Sequence, residues 1–205
     1  MSEQYSSVEA QASYGYGMQI GEQIKQAAFE GLEIEAMLNG IRDVMTSAAP
    51  AVDESLVAAA FEQISARIET KQAEQHKSNK AAGETFLVQN AQRADVQVTE
   101  SGLQYEVISA GDGATPSATD KVKVHYHGTL VDGTVFDSSV KRGQPIEFPV
   151  NGVIKGWTEA LQNMKVGDKW KLYIPQELAY GAQGAGAAIA PYSALVFEVE
   201  LLGVM

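Results

Sequence analysis

Near residue 95 the apolar residues of this chain change period, and that change limits the available folds more than any other feature. Before it, Val8, Ala12, Tyr16, Ile20 and Ile24 recur at near-helical spacing. Leu32, Ile34, Met37, Leu38, Ile41, Val44 and Met45 continue the stripe after Gly31. Pro50 breaks it, and Asp53 is then placed to cap a third helix with Glu54 in its first turn. Leu56, Val57, Ala60, Phe61, Ile64 and Ile68 supply one more apolar face. After the change the period is two. Leu103, Tyr105 and Val107 alternate with polar neighbours. In "KVKVHYHG", Val122, Val124 and Tyr126 share one face, and Lys121, Lys123, His125 and His127 the other. Trp170, Leu172 and Ile174 alternate again, as do Leu195, Phe197, Val199 and Leu201. Such strands are half-buried and antiparallel, with a solvated outer face. The one short helical segment is "GWTEALQNM", with Trp157, Leu161 and Met164 on one side. The expected class is α+β: an all-α N-terminal region, a long spacer helix, then an antiparallel sheet wrapped round a short helix. The boundaries fall at 1–52, 53–94 and 95–205.

Between Glu69 and Glu84 helix formers continue while the apolar stripe fades, as in "ETKQAEQHKSNKAAGE". A helix polar all round is usually a solvated spacer. From Asp53 to about Ala91 it would measure ~55–60 Å at ~1.5 Å per residue. Gly83 is its weak point, costing ~1 kcal/mol relative to alanine. Two short amphipathic helices and the start of a third cannot enclose a large core within about 70 residues. Homodimerisation through these faces is therefore favoured over a closed three-helix domain, with Met18, Met37 and Met45 as adaptable packing.

The formal net charge is −11, with acids in excess in both halves. That argues against nucleic acid or an anionic membrane as the main partner, since both need a basic footprint. With no cysteine there is no disulfide, thiolate nucleophile or Cys-based zinc site. The opening "MSEQYSSVEAQ" has no secretory pattern, and no apolar run approaches the ~18–20 residues that span a bilayer. A cytoplasmic location is expected.

Little conventional chemistry is in view. His125 and His127 could supply two metal ligands, but their face carries two lysines and no acid or third histidine, so no metal is expected. Ser138 and Ser139 lack a nucleophile-elbow context. In "LAYGAQGAGAAIAP", Gly181, Gly184 and Gly186 form G-x-x-G-x-G, which matches neither phosphate-binding fingerprint. A strand follows where a helix N-terminus would have to be. What remains is aromatic. Tyr126 and Phe197 face inward on their strands, while Phe136, Phe148, Trp157 and Tyr180 lie near strand ends or the helix start. They fill a core or line a pocket. The carboxylate of Asp137 directly after Phe136, and the two tyrosine hydroxyls, favour an apolar pocket with a few convergent polar groups.

The stretches "VKVHYHGTLVDGTVFDSS", "PIEFPVNGVIKGWTEALQNMKVGDKW" and "IPQELAYGAQGAGAAIAPYSALVFEVELL" resemble the FKBP-type peptidyl-prolyl cis–trans isomerases over nearly all of residues 100–203. The helical N-terminal half is similar to the dimeric bacterial subgroup that includes the macrophage infectivity potentiator, here in a form like its cytoplasmic relatives. The resemblance implies a five- or six-stranded sheet round a short helix, with residues 95–205 as the catalytic domain. It implies that Tyr126, Phe136 and Asp137 line the pocket, with Val153, Ile154 and Trp157 as its side and floor. Tyr180 and Phe197 would complete it, and Ile146, Phe148 and Ile189 would add substrate contacts. The implied activity is rotation of X-Pro bonds during protein folding, without covalent chemistry or a cofactor. The implied partners are proline-containing peptides, unfolded proteins held by a V-shaped homodimer, and rapamycin-type macrolides. The chain departs from the family where Ala185 replaces a common histidine, Ala188 a common isoleucine, and Ile146 a common aromatic. The loop over the pocket is smaller, which bears on substrate preference and macrolide affinity.

Overall fold

The structure is a computed structural model that describes residues 5–205. Its helices are α1 (Val8–Ala27), α2 (Ile34–Thr46) and α3 (Glu54–Asn90). Ser7 caps α1, its hydroxyl accepting from the Ala10 N–H at 3.1 Å. Ser47 ends α2 in the left-handed conformation. No residue of α1 or α2 is buried within the chain, and their apolar stripes lie open. Among the described residues no helix is long and apolar enough to cross a membrane. The chain divides into two compact units, ending and beginning at Lys71 and Gln72.

The second unit holds the sheet, two short α-helices and the C-terminal part of α3. The strands are β1 (Gln97–Val98), β2 (Gln104–Ser109), β3 (Lys121–Leu130), β4 (Val135–Ser138), β5 (Ile146–Pro149), β6 (Lys169–Ile174) and β7 (Leu195–Val204). They run in the order β1-β2-β6-β7-β3-β4, with β5 also paired to β3, and every pairing is antiparallel. Between β4 and β5 lies the single-turn helix α4 (Ser139–Arg142); α5 (Lys155–Leu161) precedes β6. The period-two residues are the core: Val122, Val124, Leu172, Ile174, Leu195, Val199 and Leu201 are fully buried. Trp157 and Leu161 of α5 pack against them, with Met164 just beyond the helix and its N–H bonded to the Ala160 carbonyl at 3.0 Å.

Two expectations need correction. The long helix is not a solvated spacer throughout, and the outer sheet face is not solvated throughout. The last turns of α3 cover part of that face, where Gln104, Tyr173 and Val196 are 5 %, 3 % and 8 % exposed. The Phe86 ring lies 5.9 Å from the Tyr173 ring. Asn90 Nδ2 donates to Gln104 Oε1 at 2.9 Å, and Gln104 Nε2 donates to the Leu87 carbonyl at 2.9 Å. Just past the helix, Arg93 donates to the Tyr173 hydroxyl at 2.8 Å and to Asp95 and Glu106. Nor does Gly83 interrupt the helix. A Cβ there would lie 3.0 Å from the Ala194 Cβ, so glycine permits a close approach of helix and loop. A sparse apolar stripe was enough because the seam is partly polar.

Replacing Asn90 by alanine leaves the buried Gln104 oxygen without its donor, at a cost of about 1–3 kcal/mol. Trp157 and Trp170, the only two tryptophans, both lie in this unit, so urea unfolding followed by their fluorescence reads the loss. The exposed control Lys77→Ala should stay within about 0.5 kcal/mol. An unchanged midpoint for Asn90→Ala would show that the sheet does not depend on the helix end.

Candidate active site

The inner sheet face curves round α5. Ile154 stands at the N-terminus of that helix, its carbonyl accepting from the Trp157 and Thr158 N–H groups at 3.0 and 3.1 Å. Among the described residues no backbone carbonyl takes the Ile154 N–H itself. Gly156 lets the helix lie hard against β6, since a Cβ there would be 2.6 Å from Ile174 Cγ2. The seven residues of α5 leave much of the sheet uncovered. Over the uncovered part lies a cavity of ≈ 640 Å³.

Its walls are aromatic rings in edge-to-face and tilted contact. Trp157 lies 5.4 Å from Tyr126 at 83°, 5.1 Å from Phe197 at 83°, and 5.4 Å from Phe148 at 59°. Phe136 meets Phe197 at 5.4 Å and 81°. Such geometries set the positive edge of one ring against the negative face of another. They require an empty space on β3, and Gly128 supplies it: a Cβ there would fall 2.7 Å from the Phe136 ring and 2.8 Å from Phe197. The Trp157 indole N–H is buried with no acceptor among the described residues.

The polar side of the cavity is one cluster. The Tyr126 hydroxyl donates to Asp137 Oδ2, and Arg142 Nη1 donates to Asp137 Oδ1. Arg142 Nη2 donates to the Tyr126 oxygen at 3.1 Å, and the Ser138 N–H to Asp137 Oδ1 at 2.7 Å. Ser138 caps α4 and Gly143 ends it in the left-handed conformation, so this single turn brings Arg142 back onto Asp137. Burial pushes the Asp137 carboxyl up, but the hydrogen bonds from Tyr126 and Arg142, with the guanidinium charge, outweigh it and hold the carboxyl below its ordinary range. Burial, reinforced by the bond to Asp137, pushes the Tyr126 phenol above its ordinary value. The acid stays ionised and the phenol stays protonated.

All eleven residues singled out in the sequence border this cavity: Tyr126, Phe136, Asp137, Ile146, Phe148, Val153, Ile154, Trp157, Tyr180, Ile189 and Phe197. Ala185, Ala188 and Gly152 border it too. The sequence reading missed Arg142 and Gly128. Arg142 is legible only through the Ser138 cap and Gly143 stop that fold its turn back. Gly128 is legible as the position where the inward alternation of Val122, Val124 and Tyr126 meets a residue with no side chain. The H-x-H pair has a different use. His125 Nδ1 lies 3.0 Å from Ser139 Oγ and His127 Nδ1 lies 2.9 Å from Ser138 Oγ, fastening the turn that carries Asp137 to β3. Ser139 Oγ also accepts from the Tyr126 N–H at 2.8 Å.

Residues 113–202 match the family described as FKBP-type peptidyl-prolyl cis-trans isomerase. Residues 9–107 match the domain amino terminal to FKBP-type peptidyl-prolyl isomerase. The chain is 53 % identical over 201 residues to the FKBP-type 22 kDa peptidyl-prolyl cis-trans isomerase of Escherichia coli, covering 98 % of both chains. It is 38 % identical to the outer membrane protein MIP of Legionella longbeachae, over 94 % of this chain and 84 % of that one. The crystal structure of FkpA from Escherichia coli superposes with a TM-score of 0.72 at 35 % identity, covering 98 % of each chain. With its cavity, its aromatic walls and both of its halves matched, the chain belongs to the FKBP-type peptidyl-prolyl cis–trans isomerases.

Proposed function

We propose that this isomerase accelerates proline-limited protein folding, acting as a homodimer that holds unfolded chains while the apolar cavity rotates their X-Pro bonds. The observation that carries the catalytic part is the convergence of one ionised carboxylate and a set of aromatic walls on a single cavity. Rotation about an X-Pro bond faces a barrier of about 18–20 kcal/mol because amide resonance must be broken. Uncatalysed, it takes tens of seconds or longer. A pocket accelerates it by binding the twisted amide more tightly than either planar isomer.

Trp157, Phe136, Val153 and Phe197 hold the proline ring in a dry site, where the less polar twisted amide is favoured. The Ile154 N–H and the Tyr180 hydroxyl donate to substrate carbonyls and anchor them. Asp137, fixed by Tyr126 and Arg142, sets the field beside the rotating carbonyl. No proton moves. The size and apolar lining of the cavity also suit a macrolide, within the ~300–1,000 Å³ typical of small-molecule sites.

The dimer rests on exposure. Val8, Met18, Val44 and Phe61 are 77 %, 60 %, 80 % and 61 % exposed in the single chain. Apolar stripes this open mark an association surface, and the same stripe on a second copy is a self-complementary partner.

The catalytic roles are tested by proline-limited refolding of a model protein. The wild type should accelerate it, and Asp137→Ala should lower kcat/KM by about tenfold, equivalent to about 1.4 kcal/mol of lost transition-state stabilisation. No acceleration by the wild type would sink the folding role.

The pH dependence follows from the two shifts. The lowered pKa of Asp137 makes its stabilising effect present above the ordinary carboxylate value of about 3.9, to be lost as pH falls through the lower folded value. The raised pKa of Tyr126 makes its effect present below about 10, to be lost as pH rises through the higher folded value. The kcat/KM profile on a short proline peptide should therefore be nearly flat from about pH 5 to pH 9. A steep bell centred near neutrality would contradict the mechanism.

For the dimer, light scattering should give twice the chain mass, and Val44→Asp with Phe61→Glu should halve it. The double variant should keep its activity on short peptides and lose activity on unfolded proteins. A monomeric wild type would remove this part.

A further inference from the structure

The loop that covers the pocket has little bulk of its own with which to hold its place. Its tip is closed by two backbone bonds, Ala185 N–H to the Ile189 carbonyl at 2.8 Å and Ile189 N–H to the Ala185 carbonyl at 3.1 Å. Its base is different. The Tyr192 N–H donates to the Gly181 carbonyl at 2.8 Å, directly after the pocket residue Tyr180. Tyr192 holds φ +62°, one of only two non-glycine residues at positive φ among the described residues. A tyrosine stays in that conformation only where its surroundings over-determine it.

Those surroundings come from α3. The His76 ring lies 5.3 Å from the Tyr192 ring at 56°. Asn79 Nδ2 donates to the Pro191 carbonyl at 3.0 Å. Gly83 admits Ala194 so closely that a Cβ would lie 3.0 Å from that of Ala194. Residues 76, 79 and 83 fall at i, i+3 and i+7, one face of the helix. Their partners Pro191, Tyr192 and Ala194 form one short segment, between rim residue Ile189 and wall residue Phe197. Helix face, segment and pocket all belong to the same compact unit.

We propose that this face of α3 is a positioning element of the isomerase: His76, Asn79 and Gly83 fix the Pro191–Ala194 segment, and through it the places of Tyr180 and Ile189. None of the three helix residues borders the cavity, so they act through the loop. Because Ala185 and Ala188 leave the loop few side-chain anchors over the pocket, its position is set from behind. The consequence is specificity. Selection of the residue preceding proline depends on a helix outside the sheet.

The test uses the full-length chain on a series of short peptides differing only in the residue before proline. His76→Ala with Asn79→Ala removes two contacts while keeping a strong helix former at each site. It should lower kcat/KM by about tenfold and flatten the preference among peptides. Gly83→Leu improves helix propensity but wedges the loop away, and should do the same. His76→Phe retains a ring against Tyr192 and should match the wild type. Unfolding followed by tryptophan fluorescence confirms that each variant is folded at the assay temperature, and the His76/Asn79 double variant keeps the test intact if Gly83→Leu is not. Wild-type kcat/KM and preference in the folded variants would overturn the proposal. So would a His76→Phe variant as impaired as the alanine form.

Discussion

Everything at the candidate active site follows from one mismatch of size: a seven-residue helix packs into the hollow of a seven-stranded sheet and cannot cover it. The covered part becomes a close-packed core around Val124, Leu161, Leu172 and Leu201. The rest of the inner face carries apolar residues that the helix does not reach, and that area is the cavity. Trp157 sits at the junction. It is 4 % exposed and packs as core, yet it also borders the cavity. The core and the cavity therefore share a residue. Gly128 and Gly156 work to the same end, each removing a side chain so that neighbouring groups can close round the hollow.

Among the described residues bordering the cavity, the one charged side chain, Asp137, is arranged to stay where it is. Asp137 receives Tyr126, Arg142 and the Ser138 N–H, which together overcome the effect of burial. In the proposed mechanism a carboxylate held this way supplies a fixed field beside a rotating carbonyl and is poorly suited to exchanging protons. That is what amide rotation needs, since no bond to the enzyme forms and the barrier is electronic. The histidines and serines nearby, which suggest metal or nucleophilic chemistry as isolated letters, are spent on fastening the Asp137 turn to β3.

Much of this was legible in the sequence, and the reasons are physical. Burial on one face of a strand writes itself as period two, so β3, β6 and β7 and their inward residues could be read directly. The pocket residues were also legible, because the aromatic positions and Asp137 sit in long stretches similar to a known family. Less legible was whatever depends on a contact between distant segments. The region from Glu69 to Glu84 is polar, and polar helices are usually solvated, yet His76, Asn79 and Gly83 use ring packing, one hydrogen bond and a missing side chain to meet the loop. The outer sheet face reads as solvated until Asn90 and Phe86 are seen to cover Gln104 and Tyr173. Arg142 escaped because its role depends on the path of α4, which returns it to Asp137.

The central claim is that the cavity catalyses by binding a twisted amide with fixed groups and transfers no proton. The most direct measurement is the solvent deuterium isotope effect on kcat/KM for a short proline peptide near neutral pH. A ratio close to unity is the result this mechanism predicts. A ratio of about two or more, the mark of general acid–base participation, would contradict it.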